Sequence, residues 1–306
     1  MNSEMEPIKE QSVRPDALKA GTWAAVATYA MWGVFPIYWK QVAGIGALHI
    51  LCHRVLWSAV FLLVVLWLCG KVGHLAPIFR RHFWAVAACA LLITANWGTY
   101  IWAVNSGQVT ESSLGYYINP LLSILLGRVF FCEKMDRWTI SAVVLAAVGV
   151  AVAAVMMGRP LWVAVTLAVT FSLYGALKKK ADLDALAGLC LETVLVAPFA
   201  LAWLLWAQPQ AQFFGPDTKS LVFLVMAGPV TALPLLTFAY AALRIPLQRI
   251  GFAQYLSPTI QLTIGLALYG ERMEPGMVFA FGTVVCAVAM YLATRKRVAA
   301  GSLANK

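Results

Sequence analysis

The sequence predicts an all-α integral membrane protein with about ten transmembrane helices, arranged as two inverted five-helix repeats. Three observations favour this fold class: an apolar composition, ten long apolar segments and an internal repeat. Of the 306 residues, 61% are hydrophobic and only 12% are charged, whereas a soluble domain carries about a quarter charged residues. The composition therefore excludes a soluble enzyme.

The first half of the chain contains five segments long enough to cross a bilayer. A helix needs about 17–25 predominantly apolar residues to span about 30 Å of hydrocarbon. Segments of this kind occupy residues 21–39, 47–69, 83–102, 112–131 and 139–157. Their apolar residues run continuously and do not alternate with a period of two, so we predict helices and not barrel strands.

The second half contains five more segments, at residues 161–177, 183–206, 221–243, 250–269 and 277–293. The sixth segment is the shortest of the ten. We expect Pro198 to break the seventh, because proline lacks the N–H group that a helix interior needs. Residues 1–20 are rich in acidic side chains and have no signal-peptide pattern. We expect them, and residues 295–306, to form cytoplasmic tails.

The distribution of Lys and Arg predicts which loops face the cytoplasm. With the N-terminus inside, 17 of these residues fall on the inner side, and only Lys40, Arg159, Lys219 and Arg272 fall on the outer side. Because cytoplasmic loops are enriched in positive charge, we predict that both termini are cytoplasmic. The net charge of +10 thus marks membrane loops and predicts no nucleic-acid partner. We assign the 178–180 lysine run to contact with lipid headgroups.

A shift of 138 positions superposes one half of the chain on the other. Pro120 then falls on Pro258, and Gly127 falls on Gly265. Each half holds an odd number of helices, so the second half enters the membrane in the opposite sense. We predict repeat domains at residues 21–157 and 158–294. Inverted repeats are typical of secondary transporters, whose solute sites lie near the membrane midplane.

Motifs for cofactors, metals and covalent catalysis are missing from the sequence. The six cysteines are scattered singly, without metal-ligand spacing. No Walker A loop, HExxH motif or GxSxG motif occurs. We therefore predict no cofactor, no metal site and no ATP-driven step.

Small and polar residues recur every four positions on the fourth predicted helix and, after the shift, on the ninth. The two stripes are Glu111, Gly115, Asn119, Ser123 and Gly127, and Arg249, Ala253, Ser257, Gln261 and Gly265. Such a stripe lets helix backbones approach closely or lines a wet cavity. We favour packing for the Gly and Ala positions. For Tyr116, Asn119, Gln254 and Tyr255 both interpretations remain open. Pro120 and Pro258 each remove a backbone hydrogen bond one turn back, so both are hinge candidates.

Ionisable groups inside the apolar segments form a second set of candidates. His53 and Arg54 lie in the second segment and Glu192 in the seventh, and the 138-residue shift superposes Arg54 on Glu192. A charge in hydrocarbon costs about 2.5–3.5 kcal/mol and normally faces a partner or the protein interior. These groups, with Glu111, are either structural or form a proton-coupling or substrate-charge site, in which Glu192 is the carboxylate and His53 changes charge near neutral pH.

Aromatic and amide groups near the middle of the predicted helices form a third set, which would suit a flat organic solute. The candidate cavity residues are Trp32, Asn96, Trp97, Tyr100, Tyr116, Tyr117, Asn119, Tyr174, Gln254 and Tyr255. Most membrane aromatics are lipid-facing or core residues, so packing is the alternative for each ring. Asn96 is different, because a buried amide needs a hydrogen-bond partner. For Glu133 and Glu271, at helix turns, we predict caps or local ion pairs.

Several segments resemble a known transporter family. The fourth helix ends in Gly127-x-Val-Phe-Phe-Cys-Glu-Lys, as in the EamA branch of the drug/metabolite transporter superfamily. Within that branch, the following segments resemble RarD-type permeases: Tyr29-Ala-Met-Trp-Gly-Val-Phe-Pro, His53-Arg-Val-Leu-Trp-Ser, Asn96-Trp-Gly-Thr-Tyr-Ile-Trp-Ala-Val-Asn, Glu111-Ser-Ser-Leu-Gly-Tyr-Tyr-Ile-Asn-Pro-Leu and Gln254-Tyr-Leu-Ser-Pro-Thr. The likeness extends from the first predicted helix to the tenth.

The resemblance implies a multi-pass permease of the bacterial inner membrane that works by alternating access without ATP. Its cargo would be a small metabolite or drug-like solute, with amino-acid-like and chloramphenicol-like molecules as candidates, and its other partners would be membrane lipids. A homodimer is an alternative to a monomer. An intramembrane lipid-modifying enzyme and a passive channel are the competing hypotheses.

Overall fold

Helices account for every regular element in the part of the chain that the computed structural model describes. It describes residues 15–132, 135–181, 184–207, 215–242, 244–245 and 253–304. The helices are α1 Pro15–Gly33, α2 Phe35–Lys40, α3 Ala47–Leu68, α4 Leu75–Asn105, α5 Val109–Phe131, α6 Arg137–Met157, α7 Trp162–Lys180, α8 Ala185–Trp206, α9 Thr218–Ala242, α10 Leu256–Thr263 and α11 Pro275–Ala304. A π-helical turn, Ile264–Leu268, extends α10. The all-α prediction is confirmed.

The predicted transmembrane segments correspond to these helices in order. Six described stretches are long and apolar enough to cross a membrane: Ala47–Leu68, Val72–Asn105, Arg137–Met157, Leu186–Trp206, Thr218–Phe238 and Pro275–Ala293. Two shorter apolar helices, Trp162–Lys178 and Leu256–Leu268, occupy the sixth and ninth segments. The first segment corresponds to α1 with α2, and the fourth corresponds to α5. Predicted segment edges at 183, 243 and 250–252 lie outside the described residues.

The first predicted segment is two helices, not one. The chain turns at Val34 and resumes as α2, with Pro36 in the first turn of α2. Proline has no N–H to donate to the carbonyl four residues back, which belongs to Trp32. That carbonyl instead accepts a hydrogen bond from Nε2 of Gln261 at 3.2 Å. A side chain of α10 therefore satisfies the backbone group that the break leaves open.

The seventh segment is not broken, so the prediction for Pro198 is wrong. Helix α8 is continuous from Ala185 to Trp206 with Pro198 inside it, and Pro120 likewise lies inside a continuous α5. In an apolar setting every remaining backbone N–H and C=O group must still be paired within the helix, which holds the helix together across a proline.

The helices pack in pairs that reproduce one another when the two five-helix halves are exchanged. Contacts of α5 with α7 are matched by contacts of α10 with α1, those of α4 with α7 by α9 with α1, and those of α3 with α9 by α8 with α4. The pairs α3–α8 and α6–α11 map onto themselves. This pattern is the one expected of two repeats related by a pseudo-two-fold axis.

Glycines make the closest of these approaches. A Cβ atom on Gly149 of α6 would lie 1.9 Å from Oγ1 of Thr283 on α11. On Gly228 of α9 it would lie 2.3 Å from the carbonyl oxygen of Trp57 on α3. Small residues permit such backbone contact between membrane helices.

Candidate functional site

The polar stripe of α5 is the interface with α7. Oε1 of Glu111 accepts a hydrogen bond from the backbone N–H of Val163 at 3.1 Å. A Cβ atom on Gly115 would lie 2.7 Å from the carbonyl oxygen of Ala164. Further along, Oδ1 of Asn119 accepts from the Ser172 hydroxyl at 2.5 Å. The stripe thus serves helix packing, and Asn119 is part of it.

The stripe of α10 makes the equivalent joint with α1. Nε2 of Gln261 donates to the Ser257 hydroxyl at 3.1 Å as well as to Trp32. Shifted by 138 positions, Asn119 and Ser123 fall on Ser257 and Gln261, so equivalent positions hold equivalent helix pairs together. Arg249, the first member of this stripe, lies outside the described residues, as does Glu133.

Three other predicted cavity residues contact neighbouring helices: Asn96, Tyr117 and Tyr255. Nδ2 of Asn96 donates to the Thr170 hydroxyl at 2.9 Å, which joins α4 to α7 and supplies the partner expected for that amide. Tyr117 stacks on Tyr255 with ring centroids 6.0 Å apart, on a different face of α5 from Tyr116. Gln254 is half-buried just ahead of α10, where the chain turns at Tyr255.

Arg54 lies in a cage of aromatic rings. Its side chain on α3 is buried, and the guanidinium carbon lies 4.1 Å from the ring centroid of Trp97, 5.0 Å from Trp39 and 6.0 Å from Phe35. Nε donates to the Thr231 hydroxyl at 3.0 Å. We call these four partners the Arg54 cage. A cation–π contact contributes about 0.5–2 kcal/mol, so the rings offset much of the cost of burial without neutralising the charge.

Glu192 has different partners from Arg54. Nζ of Lys178 lies 3.1 Å from Oε1 of the buried Glu192 carboxylate, and the Tyr174 hydroxyl donates to Oε2 at 3.0 Å. Nζ of Lys178 also donates to the Tyr174 hydroxyl at 2.5 Å. We call Tyr174, Lys178 and Glu192 the Glu192 triad. Lys178 therefore contacts a buried carboxylate, where headgroup contact was predicted, because a buried charge requires a partner.

Geometry explains why Arg54 and Glu192 do not pair. Each lies seven residues after the start of its own 22-residue helix. Five reversals of the chain separate α3 from α8, so the two packed helices run in opposite directions. Arg54 therefore lies about 10 Å from one end of the packed pair of helices, and Glu192 lies about 10 Å from the other end. The two charges are about 10 Å apart along the helix axes. The repeat makes Arg54 and Glu192 equivalent positions of the two halves, but the two residues lie at different depths in the membrane.

A line of aromatic rings connects the Arg54 cage to the Glu192 triad. From Trp97, one turn along α4 leads to Tyr100, whose ring centroid is 5.8 Å from that of Tyr116 on α5. Tyr116 is 6.4 Å from Phe171 on α7, and Phe171 is 6.1 Å from Tyr174. Tyr116 and Phe171 are half-buried. We call these five rings the aromatic line.

The remaining predicted charges lie away from this line. Glu111 forms an ion pair with Arg159 at 2.9 Å at the end of the helices. Glu271 accepts hydrogen bonds from the first backbone N–H groups of α5, those of Val109 at 2.8 Å and Thr110 at 2.7 Å. Carboxylates are favourable at helix N-termini. We call this end of the molecule the Glu111 face.

His53 belongs to a separate group on α3. It is buried, Trp57 Nε1 donates to its Nδ1 at 3.3 Å, and its ring centroid is 5.0 Å from that of His49. Trp32 lies with Tyr29 and Phe238, with ring centroids 5.3 and 6.1 Å away. No cluster of three or more potential metal ligands occurs among the described residues.

Five residues of the cage, the line and the triad were missed from sequence: Phe35, Trp39, Phe171, Lys178 and Thr231. Lys178 and Phe171 carry a usable signal, because they stand four residues after and three before Tyr174 and so share one face of a helix. Trp39 and Thr231 reach Arg54 from other helices, and no local spacing relates them to it.

Comparisons with known proteins agree with this architecture. The model of the EamA-like transporter family matches residues 19–155 and again residues 159–293. The "Uncharacterized transporter YojE" of Bacillus subtilis is 41% identical over 278 residues, covering 89% of this chain and 93% of its own. "Protein RarD" of Escherichia coli is 36% identical over 90% of this chain and 94% of its own.

More distant matches point the same way. The "Chloramphenicol-sensitive protein RarD" of Pseudomonas aeruginosa is 28% identical over 88% of this chain and 92% of its own. One solved crystal structure matches with a TM-score of 0.59 at 16% identity, covering 88% of this chain and 96% of that chain, which supports the fold alone.

Proposed function

This chain belongs to the EamA-like transporter family, and we propose that it moves a small organic solute across a bacterial inner membrane by alternating access, without ATP. The observation that carries the proposal is the aromatic line, which joins a buried cation to a buried carboxylate at two depths of the helix bundle. Rings and a few polar groups in this arrangement suit an organic solute with a flat apolar part.

The line draws on both halves of the chain, which supports alternating access. Its first three rings belong to α4 and α5 of residues 21–157, and its last two belong to α7 of residues 158–294. Rocking of one repeat against the other would change the contacts between Tyr116 and Phe171, where the line crosses from one repeat to the other. Transporters built from inverted repeats work by motions of this kind around a fixed site.

The Glu192 triad is the proposed coupling site. Among the described residues, Lys178 and Tyr174 on α7 contact Glu192 directly, and the Cys89 thiol on α4 is near enough to interact with it electrostatically. A proton on Glu192 would release the Lys178 ammonium, so a change of protonation would alter the contact between α7 and α8. Proton relays in membrane proteins use buried carboxylates in this way.

The experiment compares small molecules outside cells that lack this protein, cells that overproduce it and cells that overproduce Glu192→Gln. We expect a compound to accumulate outside only with the unaltered protein, while Glu192→Gln remains in the membrane without activity. Chloramphenicol and amino-acid-like molecules are the first cargoes to follow, since the name of one relative refers to chloramphenicol. Glu274→Gln, at an exposed carboxylate 3.9 Å from Arg159, is the matched control.

Two outcomes argue against parts of the proposal. Normal flux through Glu192→Gln would remove Glu192 from the coupling step and leave the permease in place. If no compound differs among the strains in export or uptake, transport itself is the wrong function.

A further inference from the structure

We propose that the Arg54 cage is an anion-binding site that takes the carboxylate of the transported solute, with the flat part of that solute against the neighbouring rings. This inference rests on the proposed function and specifies the chemical class of the cargo. The 138-residue shift superposes Arg54 on Glu192, but the structure gives the two residues different neighbours.

The Arg54 guanidinium has hydrogen-bond donors that the described residues do not use. Arginine carries five N–H donors in a planar fork. Nε bonds Thr231, whereas Nη1 is buried with no hydrogen-bond partner within the described part of the chain. None of the acidic side chains described there comes within 4.0 Å of the group. A guanidinium binds a carboxylate through two parallel hydrogen bonds, and the donors of Nη1 are not used by the described residues.

Two more buried donors without partners in the part of the chain that the structure describes belong to residues near Arg54. Nε1 of Trp39 and the hydroxyl of Tyr100 are also buried without a partner among the described residues. Trp39 is a cage ring, and Tyr100 lies one helical turn along α4 from the cage ring of Trp97. Unpaired buried polar atoms are rare in proteins. An indole N–H only donates, a guanidinium only donates, and a tyrosine hydroxyl can donate, so a ligand that satisfies all three is rich in acceptor atoms.

Within the described residues, no carboxylate of the protein lies close enough to neutralise Arg54. Glu192, the buried carboxylate at the equivalent repeat position, lies about 10 Å away along the helices and already contacts Lys178 and Tyr174. The cage rings attract the cation through their faces but carry no net charge. The positive charge therefore persists in an apolar setting, where electrostatic attraction for an anion is strong.

The test measures binding of two matched probes to the purified full-length protein by calorimetry. Phenylacetate presents a carboxylate and a flat ring, and phenylacetamide has nearly the same shape without the charge. We expect saturable binding of phenylacetate and at least about tenfold weaker binding of phenylacetamide, the usual effect of losing a charge-assisted hydrogen bond.

Variants test whether Arg54 causes the preference for phenylacetate over phenylacetamide. Arg54→Gln should weaken phenylacetate binding about tenfold or more and remove the preference over the amide. Arg54→Lys keeps the charge but not the planar fork and should fall in between. Arg137→Gln removes an exposed arginine that also lies over a ring, that of Trp138 at 5.8 Å, and should match the unaltered protein.

Equal binding of the two probes, no binding of phenylacetate, or an unchanged preference in Arg54→Gln would each overturn the proposal. If Arg54→Gln does not fold, the comparison of the two probes on the unaltered protein and on Arg54→Lys still decides. Failure here is distinct from failure of the proposed function, because the cell experiment would then reveal a transported solute that is neutral or cationic.

Discussion

The two buried charges at equivalent repeat positions are stabilised by different chemistry. Glu192 is neutralised by the Lys178 ammonium and accepts a hydrogen bond from the Tyr174 hydroxyl. Arg54 keeps its charge and is held by ring faces and one hydroxyl. Removing the partner of a buried ion leaves that ion uncompensated, which costs far more than the pair contributed. Removing the charge of Lys178 should therefore change the stability of the protein by a different amount from removing the charge of Glu192.

Lys178→Met should lower the free energy of unfolding by about 3 kcal/mol, because the Glu192 carboxylate is left charged and buried. Glu192→Gln should cost less, since the lysine is 14% exposed near the end of α7 and its flexible side chain can reach water. The double variant should recover most of the loss of Lys178→Met. Unfolding midpoints in one detergent measure this order, and equal midpoints for the two single variants would contradict it.

Only part of the candidate site could be predicted from sequence, and individual residues show why. Trp97, Tyr100, Tyr116 and Tyr174 were predicted as cavity residues and lie on one line. Tyr117 was predicted with them, yet successive residues of a helix point about 100° apart, so Tyr117 contacts Tyr255 instead. The 138-residue shift identifies Arg54 and Glu192 as equivalent positions, but it does not predict the depth of either residue in the membrane.

At the scale of the elements, proline had two opposite consequences. Pro36 coincides with a break and Pro198 does not. At Pro36, the carbonyl left without a backbone donor is that of Trp32, and it accepts a hydrogen bond from Gln261 on another helix. A contact of this kind cannot be read from the local sequence pattern. The number and order of the helices can be predicted from the lengths of the apolar segments. Where a helix breaks depends on contacts with other helices.

The contact of α6 with α11 leads to a prediction at this scale. Gly149→Ala should destabilise the protein by about 1–3 kcal/mol, because the new methyl group would overlap the Thr283 side chain. Gly282→Ala is the matched control on α11: nothing lies within 4 Å of its added Cβ atom, and alanine favours helix by up to about 1 kcal/mol. Thermal midpoints should move in opposite directions, and a common shift would contradict the packing argument.

For the whole molecule, exchanging the two halves preserves the pattern of helix contacts, as two inverted repeats would. Composition and the 138-residue shift sufficed to predict this plan, because both are global properties of the chain. The loop charges predict that the Glu111 face lies outside.

Cysteine accessibility measures this orientation. Cys69 is exposed at the end of α3, opposite the Glu111 face. In a variant with Cys132 and Cys286 replaced by alanine, a membrane-impermeant maleimide should label Cys69 in inverted vesicles and not in intact spheroplasts. Adding Lys219→Cys to the same variant without Cys69 should give the reverse result, since Lys219 is exposed at the predicted outer side. The same labelling of both positions in one preparation would reject the predicted topology.

The staggered depths of Arg54 and Glu192 also have a consequence for membrane voltage. The two depths differ by about 10 Å, which is about a third of the hydrocarbon thickness of about 30 Å. Moving one charge across the full membrane corresponds to about 2.3 kcal/mol per 100 mV, so about 0.8 kcal/mol per 100 mV acts on this step. With a negative interior and the Glu111 face outside, the field drives an anion from the depth of Glu192 towards Arg54. An anionic cargo would thus be pushed outward by the resting potential even without a co-transported ion.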